Sequence, residues 1–569
     1  MLDEKTLILE VAMELAFPHA FLEGISKRFG AEKARECAMS TSVGGIGPLL
    51  RERIFAQGDA GLNVMGVSLL YDSVWAQAWH EWGQINLQKR NVSNALKSSL
   101  TKREEFGFQL IFFDGQKVDV EVWELAYGKA AVYFLSAPPV TEIVYPGPKD
   151  MPQGAGANPP AWSHEIRLKQ SWLVGRGALA LSKKINRCPS IAVLSETPTF
   201  FAHHRLVKDE FQNDPFFSNT KYAFNDHTPL EYAHPIWDQH TLDVIKLDAS
   251  MYIDKPAWNA QRKTLDVTSL LVGTCDAVYG VAKKHGDVMK AMPSLREFSG
   301  KIQFVTNGVR KEDWQAPEFA NPAGMTDQQL LDAKTARKKI LLNWAWRHCH
   351  LWPTWARESA DKKIIAWTRR ITPYKRLDLL VKMLKNNEWR NRFLKLNLVI
   401  LVGGRIHQQD NHAQDIVYEL LDALEKDLQL QARIVTIDNF NVWEAPILYQ
   451  GVDGSIMLAD DTREASATGF MKAQMNGAAV LATDDGAVPE FVFFQGIEKD
   501  EKRVNGFHIP YIKGEPTALG LLEALEAFDR VLALPDSQAS IVRAALAVTA
   551  DVGVDRTIRD MKRLYASLL

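Results

Sequence analysis

The sequence predicts an α/β protein built from two Rossmann-like domains that face each other across a cleft. Three observations carry this expectation. Apolar runs of about six residues recur along the chain with helix-compatible segments between them, as in strands buried on both faces of a parallel sheet. The alternation occurs twice, over residues 62–307 and again over 363–483, on either side of a helical, tryptophan-rich stretch near 310–360. Loops carrying Gly, His, Arg and Lys follow the strand-like runs, and open α/β sheets bind ligands beyond the carboxyl ends of their strands.

In the first half the strand-like runs are 62–71, 108–115, 130–137, 190–195, 220–226, 277–282 and 301–307. Helical stretches such as 166–185 separate several of them, which implies a parallel sheet with helices on both faces. In the second half the runs are KIIAWT (363–368), LNLVILVG (396–403), RIVTI (433–437), GSIMLA (454–459) and AAVLAT (478–483). The expected division is 1–340 and 341–569.

Composition narrows the function classes. With 569 residues, 46 % hydrophobic and 24 % charged, the chain has ordinary globular content. A net charge of −2 gives no reason to expect a nucleic-acid or membrane surface. Four scattered cysteines (Cys37, Cys188, Cys275 and Cys349) fit free thiols in a reducing compartment, so a cytoplasmic location is expected. The acidic N-terminus reads as no signal peptide, and no apolar run approaches membrane-spanning length.

Residues 454–490 hold the densest cluster of chemistry. A short helix bridges two buried strands. It is expected to open on Glu464, Ser466, Thr468 and Gly469, to run through Phe470 to Asn476, and to stop at Gly477. Its first turn offers main-chain N–H groups beside two hydroxyls, a place for a phosphate or a sugar hydroxyl. Lys472, one turn in, can pair with phosphate or, if desolvated, join covalently to an aldehyde cofactor. A capped helix with a solvated lysine fits the same local pattern.

Other post-strand loops add candidates. Gly44, Gly45 and Gly47 form a cluster suited to close approach by a phosphate, or a plain turn. Glu196 can serve a substrate hydroxyl or cap the next helix. His227 lies in Asn-Asp-His-Thr-Pro, and Asn307 begins an Asn-Gly turn. Arg369, Arg370, Lys375 and Arg376 put four cations within eight residues after a strand, which makes an anion clamp if the loop enters a cleft. Gly403-Gly404-Arg405 and Asp438-Asn439-Phe440-Asn441 end the next strands. His348-Cys349-His350 has ligand types but no partner cluster at zinc spacing, so no metal is expected. The tryptophans of 343–355 read as packing.

These motifs resemble the α-glucan (glycogen, starch, maltodextrin) phosphorylases. EASATGFMKAQMNGA resembles that family's pyridoxal-phosphate segment, with Lys472 on the lysine that carries the cofactor. RRITPYKR, GGIG, HTP, TNGV and DNFN each resemble family segments, in the same order along residues 8–490, and the chain looks most like the shorter bacterial members. The resemblance implies the GT-B glycosyltransferase architecture, with a glucan or acceptor domain at 1–340, a cofactor and phosphate domain at 341–569, and last helices (537–547, 554–568) that return to the first.

The implied reaction is reversible phosphorolysis of a terminal α-1,4-glucosyl unit to glucose 1-phosphate, with pyridoxal 5'-phosphate as cofactor. Arg370 and Lys375 would bind the substrate phosphate with Gly44, Gly45 and Gly47. Arg369, Thr468, Gly469, Phe440 and Asn441 would lie about the cofactor phosphate. His227 would meet the glucosyl unit through its main-chain carbonyl, and Glu464 and Ser466 would hold glucosyl hydroxyls beside Ala467. Glu196 and Asn307 complete the implied substrate contacts. Partners would be a glucan or maltooligosaccharide, inorganic phosphate and glucose 1-phosphate; a homodimer is left open. Departures stand at Ala467 (family Gly), Phe470 (Asn in the long members), Phe440 (Tyr), and Leu50–Arg51 where the family has an Asp. Two alternatives share the motifs: a retaining nucleotide-sugar glycosyltransferase of the same fold, and a non-catalytic glucan-binding relative.

Overall fold

The computed structural model describes residues 5–80, 84–153, 158–348 and 361–569. These form two units, each with its own α/β sheet. The first holds Met1–Val74, Arg90–Thr306 and Thr557–Leu569; the second holds Trp75–Lys89 and Asn307–Arg556.

In the first unit the parallel strands lie in the spatial order Ala130–Ser136, Asn63–Leu69, Leu7–Val11, Ile191–Ser195, Lys221–Asn225, Ala277–Gly280 and Ile302–Phe304. Antiparallel Lys117–Tyr127 extends the first edge. Every residue of Leu7–Val11 and of Ile191–Ser195 is buried, and helices cover both faces, so the runs are apolar rather than alternating. Chain order reverses between these two strands, which places a ligand crevice beyond Val11 and Ser195.

The six-stranded sheet of the second unit is parallel throughout, in the order Ile434–Ile437, Leu398–Gly403, Lys363–Thr368, Gly454–Met457, Ala479–Ala482 and Gly506–His508. Numbered along the chain this is 3-2-1-4-5-6, the doubly wound order of dinucleotide-binding sheets. The reversal lies between Lys363–Thr368 and Gly454–Met457. The basic loop after Thr368 and the loop after Met457 therefore share one crevice. Gly506–His508 went unread in the sequence.

The expected 340/341 boundary differs from the division seen. Residues 307–340 lie in the second unit because the helix Asp327–His348 is fastened there: Lys334 Nζ donates to Val452 O (2.5 Å) and Asn476 O (2.9 Å), and Lys338 pairs with Asp453 (2.7 Å). Residues 75–89 also join the second unit, whose apolar core takes in Trp79. At the other end, Tyr565 of the helix Val554–Ala566 meets Tyr279 hydroxyl to hydroxyl at 3.4 Å, and Lys562 reaches Ala60 O at 3.1 Å, both inside the first unit. The helix Pro535–Ala547 stays with the second.

Among the described residues no single helix is long and apolar enough to cross a membrane. A bent pair, Ala518–Val531 with Pro535–Val552, reaches that composition jointly, but its Leu521, Leu525, Phe528, Ile541, Val542 and Leu546 are buried.

Candidate active site

In the second unit the helix bearing Lys472 is Gly469–Gln474, shorter than expected, and Glu464 and Ser466 lie in the loop before it. Asp485 explains the difference. Its Oδ2 accepts the main-chain N–H groups of Arg463 and Glu464, each at 2.8 Å, which holds them outside any helical turn. Gly477 takes φ 74°, a left-handed stop two residues past Met475.

Lys472 is 6 % exposed, and its Nζ lies 3.9 Å from the Trp314 ring centroid and 6.0 Å from that of Tyr449. Asn476 explains how Trp314 reaches the lysine. Its Nδ2 donates to the carbonyls of both Lys472 and Trp314 at 2.9 Å, and its Oδ1 accepts from Ala316 N at 2.7 Å. Tyr449 packs edge-on to Phe440 (6.4 Å) and to Trp314 (5.9 Å), and accepts from Thr368 at 3.4 Å. A Cβ at Gly469 would come within 3.0 Å of the Tyr449 hydroxyl and 2.6 Å of the Met457 methyl, so a side chain at this helix start would have to displace the end of Met457. Trp314 and Tyr449 were both missed in the sequence. Each lies far from Lys472 along the chain, and an aromatic residue in a helical stretch carries no signal by itself.

The basic loop converges on Glu464. Arg369 donates to Glu464 and to the Leu458 carbonyl, and Lys375 Nζ lies 3.4 Å from the same Glu464 oxygen. Burial alone would raise this carboxyl, but Lys375 and Arg369 outweigh burial and hold it below the usual carboxylate range. Arg370 is exposed. Arg376, in left-handed backbone at φ 59°, clamps Asp378 and Asp460 and so holds the loop's shape. Gly404 is fixed by close approach: a side chain there would run into the Arg369 carbonyl. Two buried hydroxyls in this crevice, Ser466 Oγ and Thr372 Oγ1, have no hydrogen-bond partner among the described residues. Thr468 precedes the helix without a side-chain capping bond, and Ala467 is half-buried.

Asn441 is occupied within its own loop. It donates to Asn439 O and to Glu444 at 3.0 Å, and accepts from the N–H groups of Trp443 and Glu444. Trp344 Nε1 donates to Glu444 at 3.2 Å, and His348 Nδ1 donates to Trp344 O at 2.7 Å. Cys349, His350, Trp352 and Trp355 lie outside the described residues. Asn307 is buried, with its carbonyl taking Arg556 at 2.7 Å.

In the first unit Glu196 directly follows its strand with φ 68°, a strained value for a non-glycine residue. Its carboxylate accepts from His227 N–H at 2.8 Å and from Thr228 Oγ1 at 3.1 Å, rather than capping a helix. Burial, then the neighbouring Asp226, pushes the carboxyl up to about 8. His227 Nε2 meets Asn225 Oδ1 at 2.6 Å, an oxygen that also accepts from Arg53. Burial, then Arg53, pushes this histidine down to about 3, so it is neutral near pH 7. Asp226 lies between His234 (3.8 Å) and His285 (3.7 Å). His234 is raised to about 9: burial lowers it, but the hydrogen bond and charge of Asp226 prevail.

Gly45 precedes the helix Ile46–Asp59, and Gly44 and Gly45 face open space. Gly47 is different, since a Cβ there would lie 2.8 Å from Ser42. Among the described residues no three His, Cys, Asp or Glu gather in a metal-holding group.

The six-stranded sheet thus sets a basic loop at its switch point, and the helix that bears the enclosed Lys472 follows the adjoining strand. Residues 324–500 match the carbohydrate phosphorylase family model. The chain is similar to the glycogen phosphorylase of Aquifex aeolicus (22 % identical over 516 residues, 78 % of this chain and 71 % of that protein). It is similar to the maltodextrin phosphorylase of Thermococcus litoralis (21 % over 503 residues, 78 % of this chain and 58 % of that protein). It is also similar to the cytosolic alpha-glucan phosphorylase 2 of Arabidopsis thaliana (26 % over 267 residues, 40 % of this chain and 32 % of that protein). The resemblance to α-glucan phosphorylases read from the motifs thus extends to the family match and to relatives spanning most of the chain.

Proposed function

We propose that the protein is an α-glucan phosphorylase of GT-B type that cleaves terminal α-1,4-glucosyl units with inorganic phosphate, giving glucose 1-phosphate, and that Lys472 carries pyridoxal 5'-phosphate. One observation carries the reading: the Lys472 amine is enclosed against Trp314 instead of extending into solvent. The donor set fits the cofactor. An enclosed amine, an aromatic face, the nearby cations Arg369 and Lys375, and two hydroxyls left without partners supply what an aromatic aldehyde phosphate requires.

When bound there, the cofactor would supply a phosphate acid–base group beside the substrate phosphate, and a protonated phosphate can give its proton to the departing glycosidic oxygen. The chain's own residues do the rest. Lys472 holds the group, and Trp314 keeps water from it. Arg370 and Lys375 take the substrate phosphate, and their fixed charge stabilises an anion beside a developing oxocarbenium ion. Glu464 must then yield Lys375 and turn to a glucosyl hydroxyl, with Ser466 beside it. In the first unit, Glu196 anchors His227 N–H and so aims the His227 carbonyl, while the neutral His227 ring is held by Asn225. A cytoplasmic site of action accompanies this reading, supported by the free thiols of Cys37, Cys188 and Cys275.

Phe440, without a hydroxyl, and Asn441, saturated by its own loop, favour a second reading: a retaining nucleotide-sugar transferase in which Lys472 contacts a diphosphate. Mass spectrometry of the borohydride-reduced protein separates the two. A phosphopyridoxyl adduct on Lys472, with glucose 1-phosphate released from maltooligosaccharides and phosphate, is the expected result. No adduct and no release, despite glucan binding, would instead point to a non-catalytic relative.

A further inference from the structure

Glu10 is a charged residue inside the apolar run Leu7–Val11, a central strand of the first unit, and is 1 % exposed. Its partner is Arg53, on the helix Ile46–Asp59 and likewise buried, which donates to Glu10 Oε2 at 2.5 Å. Gln57, one turn further along, donates to the other Glu10 oxygen at 2.7 Å. A buried ion pair adds little to stability over an apolar pair of the same size, so packing alone does not account for this one. The guanidinium also reaches the ends of the next two strands. It donates to Ser195 Oγ and to Asn225 Oδ1, each at 2.7 Å. Asn225 Oδ1 is the same atom that meets His227 Nε2. We propose that Arg53 is a positioning residue: acting through Asn225, it fixes the His227 ring as the Nε2–H tautomer and leaves Nδ1 as the ring's acceptor. The part this gives Arg53 in the reaction rests on the glucan reading above, in which His227 meets the substrate.

The tautomer follows from what each group can do. A guanidinium only donates, so Asn225 must turn its oxygen toward Arg53. The Tyr279 carbonyl only accepts, and Asn225 Nδ2 donates to it at 3.3 Å, so both ends of the amide agree. With Oδ1 facing the imidazole, Nε2 has to carry the hydrogen. Burial, then the charge of Arg53, keeps the ring neutral, so Nδ1 retains its lone pair. Nδ1 has no hydrogen-bond partner among the described residues, and the ring is half-buried. Without Arg53, only the longer bond to Tyr279 opposes rotation of the amide. The rotated amide would offer Nδ2 to the ring, the hydrogen would move to Nδ1, and an acceptor would become a donor. Glu196 fixes the main chain of His227 separately, through its N–H. A change at Arg53 therefore acts on the ring and leaves the His227 carbonyl in place.

The test is long-range proton–nitrogen NMR correlation at pH 7 on the whole protein labelled with nitrogen-15 histidine, the His227 signals being identified by their loss in His227→Gln. Wild type is expected to show one neutral tautomer, Nε2–H. Arg53→Met alone would strand the Glu10 charge, so it is made together with Glu10→Gln. That double variant, and Asn225→Ala separately, are expected to give a mixture of tautomers. Gln57→Met weakens the same buried network without touching Asn225 and is expected to keep Nε2–H. An Nδ1–H wild type, an unchanged tautomer in the double variant or in Asn225→Ala, or a mixture in Gln57→Met overturns the assignment. For phosphorolysis of maltopentaose, kcat/KM is expected to fall about tenfold in the double variant and in Asn225→Ala, the worth of one hydrogen bond. Unchanged kinetics with a lost tautomer overturns the part played in the reaction. If wild type releases no glucose 1-phosphate but the tautomer is lost as expected, the proposed reaction fails and the hold of Arg53 on His227 stands. If wild type turns over and the tautomer does not move, the positioning role alone fails.

Discussion

Gln77 and Asn439 hold each other through two reciprocal hydrogen bonds. The Gln77 main-chain N–H donates to Asn439 Oδ1 at 2.7 Å, and Asn439 Nδ2 donates back to the Gln77 carbonyl at 2.5 Å. The Gln77 side chain repeats the pattern with Ile406, donating to its carbonyl at 2.5 Å and accepting its N–H at 3.2 Å. One residue thus stitches the 75–89 segment to loops that follow two strands of the second unit. Asn439 sits in left-handed backbone at φ 50°, which asparagine tolerates better than most residues. Gln77→Ala is expected to cost about 1–3 kcal/mol, since it leaves two buried main-chain groups of Ile406 unpaired. Asn439→Ala is expected to cost about 1 kcal/mol beyond that through backbone strain. Hydrogen exchange should show lost protection at Ile406 N–H in the first variant and at Gln77 N–H in the second; unchanged protection at both would rule out the clasp.

Glu464 neutralises Arg369 and Lys375, cations that the proposed substrate phosphate would need. Glu464→Gln should therefore let inorganic phosphate bind more tightly, by about tenfold if one partly buried ion pair is relieved. Thermal shift against a phosphate titration reads this without turnover. A midpoint concentration that stays or rises contradicts the pairing. The pH dependence has a definite sign. The folded carboxyl is held below its ordinary 4.5, so the pair's contribution is full above that value and is lost as pH falls through the depressed folded value. Glu464→Gln should flatten the acid limb of the stability curve.

Much of this crevice was legible in the sequence because parallel strands buried on both faces leave apolar runs. Lys363–Thr368 and Ala479–Ala482 match the expected strands closely. The residues that follow them, Arg369 to Arg376 and Asp485, stand out because charge after an apolar run has few structural uses. What could not be read is whatever depends on contacts distant along the chain. Nothing near residue 77 signals that it belongs with residue 439. Trp314 meets Lys472 only because Asn476 bonds both carbonyls. The early start expected for the Lys472 helix failed for a similar reason, since Asp485, some twenty residues later, captures the N–H groups that a helix would have used. The short strands around Trp258 are too brief for a period to show.

The Glu196 carboxyl gives a pH signature of the opposite sign. Although the residue keeps some exposed surface, its carboxyl is enclosed, and burial with Asp226 lifts it from 4.5 to about 8. A folded value above the unfolded one means that stability from this group is present below about 4.5 and is lost as pH rises through about 8. Glu196→Gln keeps an acceptor for His227 N–H and Thr228 but cannot ionise. Its unfolding free energy relative to wild type should therefore rise steadily from pH 5 to pH 8, as read by parallel denaturant titrations. His234, raised to about 9, titrates in both proteins and cancels in the comparison to first order. A difference independent of pH would mean that Glu196 is already ionised at pH 5.

Lys334 links the long helix to the helix that bears Lys472. Its ammonium is 2 % exposed and donates to Val452 O and to Asn476 O, and Asn476 in turn holds Lys472 and Trp314. Burial pushes its pKa down from 10.5 to about 8 against the opposing charge of Asp453. The unfolded chain therefore binds more protons than the folded one between about 8 and 10.5, and stability from this group rises with pH across that window. Lys334→Met removes the titration and leaves two carbonyls unpaired, an expected loss of about 1–3 kcal/mol. The gap between wild type and variant should widen by on the order of 1–2 kcal/mol from pH 8 to pH 9.5. Denaturant unfolding at the two pH values measures it, and a constant or narrowing gap would show that the buried amine does not titrate there. Because Asn476 O loses its donor, the variant should also reduce borohydride-trapped labelling of Lys472 by pyridoxal 5'-phosphate. A variant of similar stability loss away from this helix, such as Val417→Ala in the buried face of the helix Asn411–Glu425, should not.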